Sequence, residues 1–167
     1  MGSSAFLAPE PVVNRYAAGR DAVDHQVFID TTQLDRNGAP YADLPPDLQH
    51  ANLAAARRIP AVLAVAGLHI VSGEDAEAEA NALPESEALA LLETHIEAAA
   101  IVEHAGWMAE KLGSGWKYGP ERNDAAKVHP SLIPYADLSE VEKEKDRSAV
   151  RNYPAIVWRA GMRVARP

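Results

Sequence analysis

The sequence contains no cysteine. That excludes disulfides, thiol nucleophiles and thiolate metal sites together, and it fits a reducing compartment. Aromatic residues are scarce at 6%, so each tryptophan and tyrosine has to be accounted for individually. No apolar run approaches the roughly 18–20 residues needed to span a bilayer, and membrane insertion is not expected. The opening Met1-Gly2-Ser3-Ser4 lacks the basic and apolar regions of a secretory signal. Residues 1–7 read as a tail or cloning scar, and a cytoplasmic location is the expectation.

Positive charge is also in short supply. With 16 Lys and Arg against 24 Asp and Glu, the formal charge is −8. Such a field repels phosphate backbones and argues against nucleic acid as a partner. The deficit is uneven: residues 1–100 hold 5 basic and 15 acidic side chains, a net of −10, whereas residues 101–167 hold 11 and 9, a net of +2. Segment 74–97 alone has 8 acidic and no basic residues. It reads as linker and solvated helix surface rather than a cation site. A length of 167 residues, 47% hydrophobic and 24% charged, fits one domain or two small lobes sharing a core.

What is present is an internal repeat. Pro40-Tyr41-Ala42-Asp43-Leu44 recurs as Pro134-Tyr135-Ala136-Asp137-Leu138, and the same offset of 94 aligns residues 40–71 with 134–165 without a gap. Eleven of those 32 positions are identical, among them Arg57 with Arg151, Pro60 with Pro154 and Gly67 with Gly161. The chain therefore divides into a degenerate first unit (8–72), an acidic linker (73–84) and a full second unit (85–167).

Each unit reads as mainly α, with long ordered loops and minor short strands. Asp43 or Ser139 is placed to cap a helix running to about Arg58 or Asn152. Pro60 and Pro154 either kink it or open a new short helix. Gly67 and Gly161 serve as left-handed caps. The β-prone tails Leu68–Val71 and Met162–Ala165 are candidates to pair. Upstream, a helix is expected from about Glu85 to Leu112 on the spacing of Leu89, Leu92, Ile96, Val102 and Leu112. A shorter helix is expected near Pro11–Val23.

The loop between Gly115 and Tyr135 concentrates the chemistry. Trp116 and Tyr118 can stack on a flat base, at about 1–3 kcal/mol per base. Arg122 can grip a phosphate or carboxylate, Lys127 adds a point charge, and Asn123 offers both donor and acceptor. Structural roles compete for the same residues. Trp107 and Trp116 can be core anchors, and His129, before Pro130, can fix its loop by a side-chain to backbone bond. Tyr135 and Arg151 recur as Tyr41 and Arg57 in the unit lacking the loop, which favours structure. Arg122, Asn123 and Lys127 align with Phe28, Ile29 and Gln33 and so mark what is special to the second unit. In the charged run 140–147, Glu140 and Glu144 repel at i,i+4, and Asp146 is placed to bind the Arg122 loop.

Residues 103–161 carry Glu103-His104, Trp107, Gly115-Trp116-Lys117-Tyr118-Gly119, Arg122-Asn123, His129-Pro130-x-Leu132-x-Pro134-Tyr135, Glu142-Lys143, Asp146-Arg147 and Pro154. This order and spacing resemble the ryanodine-receptor repeat, the RyR domain of calcium-release channels and of many bacterial proteins. They resemble in particular the bacterial form that follows TrkA-N-like Rossmann domains. Asn123 departs from the channel pattern, which has Asp there, and the first unit matches only through its second half. The resemblance implies a regulatory, ligand-sensing module, fused to or associated with an effector or transport protein, and no enzyme.

Other chemistry finds little support. Glu103 and His104 are neighbours on a helix and point about 100° apart, which is unsuited to shared metal ligation. No HExxH, phosphate-binding loop or dinucleotide fingerprint occurs, and no cofactor is expected. The function expected is non-catalytic sensing of a nucleotide or similar anionic small molecule. Trp116, Tyr118, Arg122, Asn123, Lys127, His129, Tyr135, Asp146 and Arg147 are the candidate ligand residues. The alternative is a protein–protein interaction module without small-molecule ligand, which docks an acidic surface or a second copy as a homodimer.

Overall fold

A computed structural model describes residues 45–73 and 76–167. The Pro40–Leu44 motif, the Asp43 cap and the helix expected at Pro11–Val23 lie outside the described residues. The order of elements is α1 (Pro46–Ala64), β1 (His69–Ser72), α2 (Ala76–Asn81), α3 (Glu85–Glu93), α4 (Ile96–Gly113), β2 (Lys117–Tyr118), β3 (Val128–His129), a 3-10 turn (Tyr135–Asp137), α5 (Glu140–Arg159) and β4 (Met162–Ala165). The described part is mainly helical with four short strands.

Helix α5 starts where Ser139 caps it, the Ser139 hydroxyl accepting from the Glu142 N–H at 3.2 Å. That satisfies one orphan donor of the first turn. Helix α1 has no side-chain cap, and Pro46 at its first turn needs none for its missing N–H. Neither helix stops at its internal proline: both run through Pro60 and Pro154 to Ala64 and Arg159. Each proline deletes one backbone hydrogen bond. Burial of Ile59, Val62 and Leu63 around the first, and of Val150, Tyr153, Ile156 and Val157 around the second, holds the helix together. Gly67 and Gly161 follow at φ +74 and +83, a region that costs other residues a steric penalty. Strands β1 and β4 leave those turns and pair antiparallel, His69 opposite Ala165 and Ser72 opposite Met162.

The long helix expected over 85–112 is two helices. The Thr94 hydroxyl donates to the Leu91 carbonyl at 2.7 Å, and His95 Nδ1 lies 3.1 Å from the same oxygen. These side chains take over a carbonyl that a continuing helix would use, and the chain turns before α4 begins. Within the acidic stretch, residues 76–81 form α2, and the Leu83 N–H donates to the Val164 carbonyl at 2.8 Å, which ties this stretch to β4.

Helices α1, α4 and α5 pack around one core with α3 and the ribbon, built from Ile59, Leu63, Leu92, Ala99, Tyr153, Ile156, Met162 and Val164. One polar knot sits inside it. Glu103 of α4, 4% exposed, accepts from Arg58 Nη2 at 2.8 Å and from the Tyr153 hydroxyl at 2.6 Å, joining α1, α4 and α5. Burial alone would lower the Arg58 pKa; the Glu103 carboxylate outweighs that and raises it. Gly106, one turn on, leaves the room: a Cβ there would stand 2.2 Å from Arg58 Cδ.

The acidic and basic segments meet on the surface. Arg151 binds Glu93 and Glu144, Arg163 binds Glu79, and Arg147 binds Glu97. Arg147 also reaches Glu140 at 3.2 Å and Glu144 at 3.3 Å, bridging the i,i+4 acidic pair. The excess charge of one segment is answered by the other. Exposed pairs are each worth little, about 0–1 kcal/mol.

Arg58→Ala strands a buried carboxylate and is expected to destabilise by about 3–5 kcal/mol in urea unfolding. Arg57→Ala, its exposed neighbour, is expected to stay within about 0.5 kcal/mol of the parent. Equal losses at both positions would show that the knot contributes nothing special.

Candidate ligand cavity

Between α4, the loop 119–138 and α5 lies a cavity of about 760 Å³, within the range of small-molecule sites. Helix α4 contributes His104 and Trp107. The loop contributes Arg122, His129, Pro130, Ser131 and Leu138. Helix α5 contributes Val141, Glu142, Glu144, Lys145, Asp146, Ser148, Ala149 and Asn152. A second concavity of about 610 Å³ lies beside the ribbon, lined by His69, Val71, Leu83, Glu87 and Arg166 among others. It carries no aromatic wall beyond His69 and none of the motif residues.

The loop is held by its own backbone. β2 pairs in parallel with β3, and Asn123 exchanges two 2.9 Å backbone bonds with Val128. The Asn123 side-chain oxygen accepts from the Ala126 N–H at 3.1 Å, closing the tip of the loop. Lys127 sits at φ +56, a conformation that a non-glycine residue adopts only under local constraint. Its ammonium donates to the Ser114 carbonyl at 2.8 Å. Asn123 and Lys127 are thus engaged in shaping the loop, and neither lines the cavity.

His104 is the most constrained side chain of the site, at 2% exposure. Its Nε2 lies 2.8 Å from the Ile133 carbonyl, and its Nδ1 lies 3.2 Å from Asp146 Oδ2. Both partners only accept, so both ring nitrogens must donate, and the imidazole is held as a cation. Burial alone would lower its pKa; the bonds to Asp146 and to the Ile133 carbonyl outweigh that and raise it. Asp146, expected to bind the Arg122 loop, is committed to His104. Arg122 pairs instead with Asp124, at 2.7 Å and 3.2 Å.

Trp107 contacts both histidines. It is stacked on His104 at 5.5 Å and meets His129 edge-on at 5.0 Å. His129 Nδ1 accepts from the Ser131 N–H at 3.0 Å, so the neutral ring carries its proton on Nε2. Burial, and then Arg122, lower the His129 pKa. The Ser131 hydroxyl donates to Glu142 at 3.1 Å, and Glu142 also takes the Lys145 ammonium at 2.9 Å. Lys145, followed by Ser131, holds that carboxyl below its usual range.

Of the nine residues expected at the ligand, Arg122, His129 and Asp146 line this cavity. Trp116 lies behind His129, 6.1 Å away, with the Lys111 ammonium 5.2 Å from its own ring. Tyr118 is exposed on β2. Tyr135 is buried against His104 and donates to Glu97 at 2.9 Å. Burial and that bond raise its pKa to about 12. Arg147 is occupied by Glu97, Glu140 and Glu144. Sequence reasoning missed His104, Glu142, Lys145 and Asn152. A signal existed for the first: a histidine one residue from a core carboxylate, on a helix, must face a different neighbour.

The sign of the pH dependence follows from His104. Its folded pKa is raised, so its stabilisation is complete below the ordinary imidazole value near 6.5. The stabilisation is lost as pH rises through the raised folded value. Urea unfolding at pH 6 and pH 9 is expected to show this loss in the parent, and a flat difference in His104→Gln. A parent profile as flat as the variant's would contradict the clamp.

The RyR domain family model matches residues 87–166. That span includes α4, the cavity loop, α5 and β4, and so contains every residue that lines the cavity. Residues 87–166 of this chain are an RyR domain.

Proposed function

We infer that this RyR domain is a non-catalytic ligand-sensing module whose cavity receives a nucleotide or a similar small molecule bearing an anionic group. The observation that supports it most is the cavity itself. One wall is the Trp107 ring edged by His129, the floor is polar, and two cations, Arg122 and Lys145, stand at the opening. A flat heterocycle can lie against such a wall, and guanidinium and ammonium groups suit a phosphate or carboxylate. The helix–glycine–strand units at 46–72 and 140–165 support reading the chain as two copies of one unit.

Thermal unfolding against a panel of nucleotides tests the reading. A ligand at about 100 times its dissociation constant is expected to add roughly 2.7 kcal/mol of stability. Ser148→Trp, on the exposed edge of the cavity, is expected to abolish the gain with the fold intact, and Arg122→Ala to reduce it. If nothing in the panel stabilises the chain, the reading fails.

The alternative, an assembly module, is favoured by Ile101 and Leu112, exposed at 49% and 53% on the same face of α4. It predicts concentration-dependent sedimentation that salt does not abolish.

A further inference from the structure

Ion pairing around the cavity bears on how much charge a ligand can carry there and on which end of it enters first. Every charged group at its border already has a counterion. Arg122 is paired with Asp124, Lys145 with Glu142, His104 with Asp146, and Glu144 with Arg147 and Arg151. A polyanion gains most where cations stand unpaired. Here each added phosphate would meet cations already neutralised and the carboxylates of Asp124, Glu142 and Glu144 beside them.

Depth sorts the groups as well. Side-chain exposure rises from 3% at His104 and 17% at Asp146, through 32% at Glu142, to 60% at Arg122 and 69% at Lys145. The cations are at the rim, and the deepest carboxylate is Asp146. His104 occupies Asp146 Oδ2. Oδ1 accepts no hydrogen bond from any described residue, which leaves one acceptor of the partly buried Asp146 to the cavity it lines.

We propose that the cavity takes a nucleoside or nucleoside monophosphate base first, with an exocyclic amino group of the base donating to Asp146 and the single phosphate at the rim beside Arg122 and Lys145. One free carboxylate oxygen suits the single amino donor of adenine or cytosine. Guanine, which presents two adjacent donors, would need both oxygens. Arg122 and Lys145 retain N–H donors beyond those spent on Asp124 and Glu142, enough to hydrogen-bond a monophosphate without a net attractive field. The inference rests on the cavity being a ligand site.

Calorimetric titration of the whole chain tests it with changes made only on the ligand, so no variant has to fold. The probes are adenosine and cytidine, their 5′-mono- and triphosphates, and the two ribosides lacking the amino group, purine riboside and pyrimidin-2-one riboside. Adenosine or cytidine is expected to bind, its monophosphate within about tenfold of it, and its triphosphate no tighter than the monophosphate. The matching deaminated riboside is expected to bind at least about tenfold more weakly, the loss of one hydrogen bond to a charged acceptor. A triphosphate that binds tightest and weakens steeply with salt would overturn this inference and leave the ligand site standing. So would a deaminated riboside that binds equally well. Silence from every probe, with a gain in the thermal panel from some other anion, overturns it too. Silence in both experiments removes the site itself.

Discussion

Two neighbouring residues on one helix, Glu103 and His104, are both buried and both carry charge, and much of the rest follows from their having to face different partners. Successive side chains on a helix diverge by about 100°. Glu103 turns into the core, where Arg58 and Tyr153 meet it. His104 turns toward the cavity, where Asp146 and the Ile133 carbonyl meet it. One step along α4 thus separates the group that ties three helices together from the group that fixes the cavity floor. Burying an ion costs several kcal/mol unless its partners are in place. Helix α5 supplies a partner to each, Tyr153 and Asp146, so the two requirements set its position against α4.

The arrangement also explains why, among the described residues of a chain of net charge −8, the cations at the cavity are all paired. Arg147 and Arg151 of α5 and Arg163 of β4 are drawn to acidic residues of α2, α3 and α4 and to Glu144 of α5 itself. The net of +2 counted over residues 101–167 is therefore not a basic surface. What remains at the cavity is a set of pre-formed pairs. A cavity bordered by such pairs presents shape and a hydrogen-bonding pattern more than net charge.

Much of the fold was legible because its signals are local. Ser139 caps a helix by its own hydroxyl, Gly161 turns left-handed, and the β-prone tails after Gly67 and Gly161 pair as their equivalence suggested. The break at Thr94–His95 was missed because the apolar spacing continues across it; only the side-chain bonds to Leu91 reveal the stop. The lining of the cavity was legible by region and less so by residue. Comparison of the aligned sequences singled out Arg122, Asn123 and Lys127, yet Asn123 and Lys127 are spent on building the loop. His104 was set aside as a poor metal ligand. Its actual partners lie 29 residues away at Ile133 and 42 away at Asp146, distances over which periodicity carries no information.

The state of His104 tests the account most directly, because a neutral ring could satisfy only one of its two acceptors. Nitrogen-15 NMR of the histidine side chains at pH 7 reads both ring nitrogens. The account predicts that His104 Nδ1 and Nε2 both show the shifts of protonated imidazolium nitrogens. An unprotonated nitrogen at either position would contradict it, and with it the geometry assigned to the cavity floor.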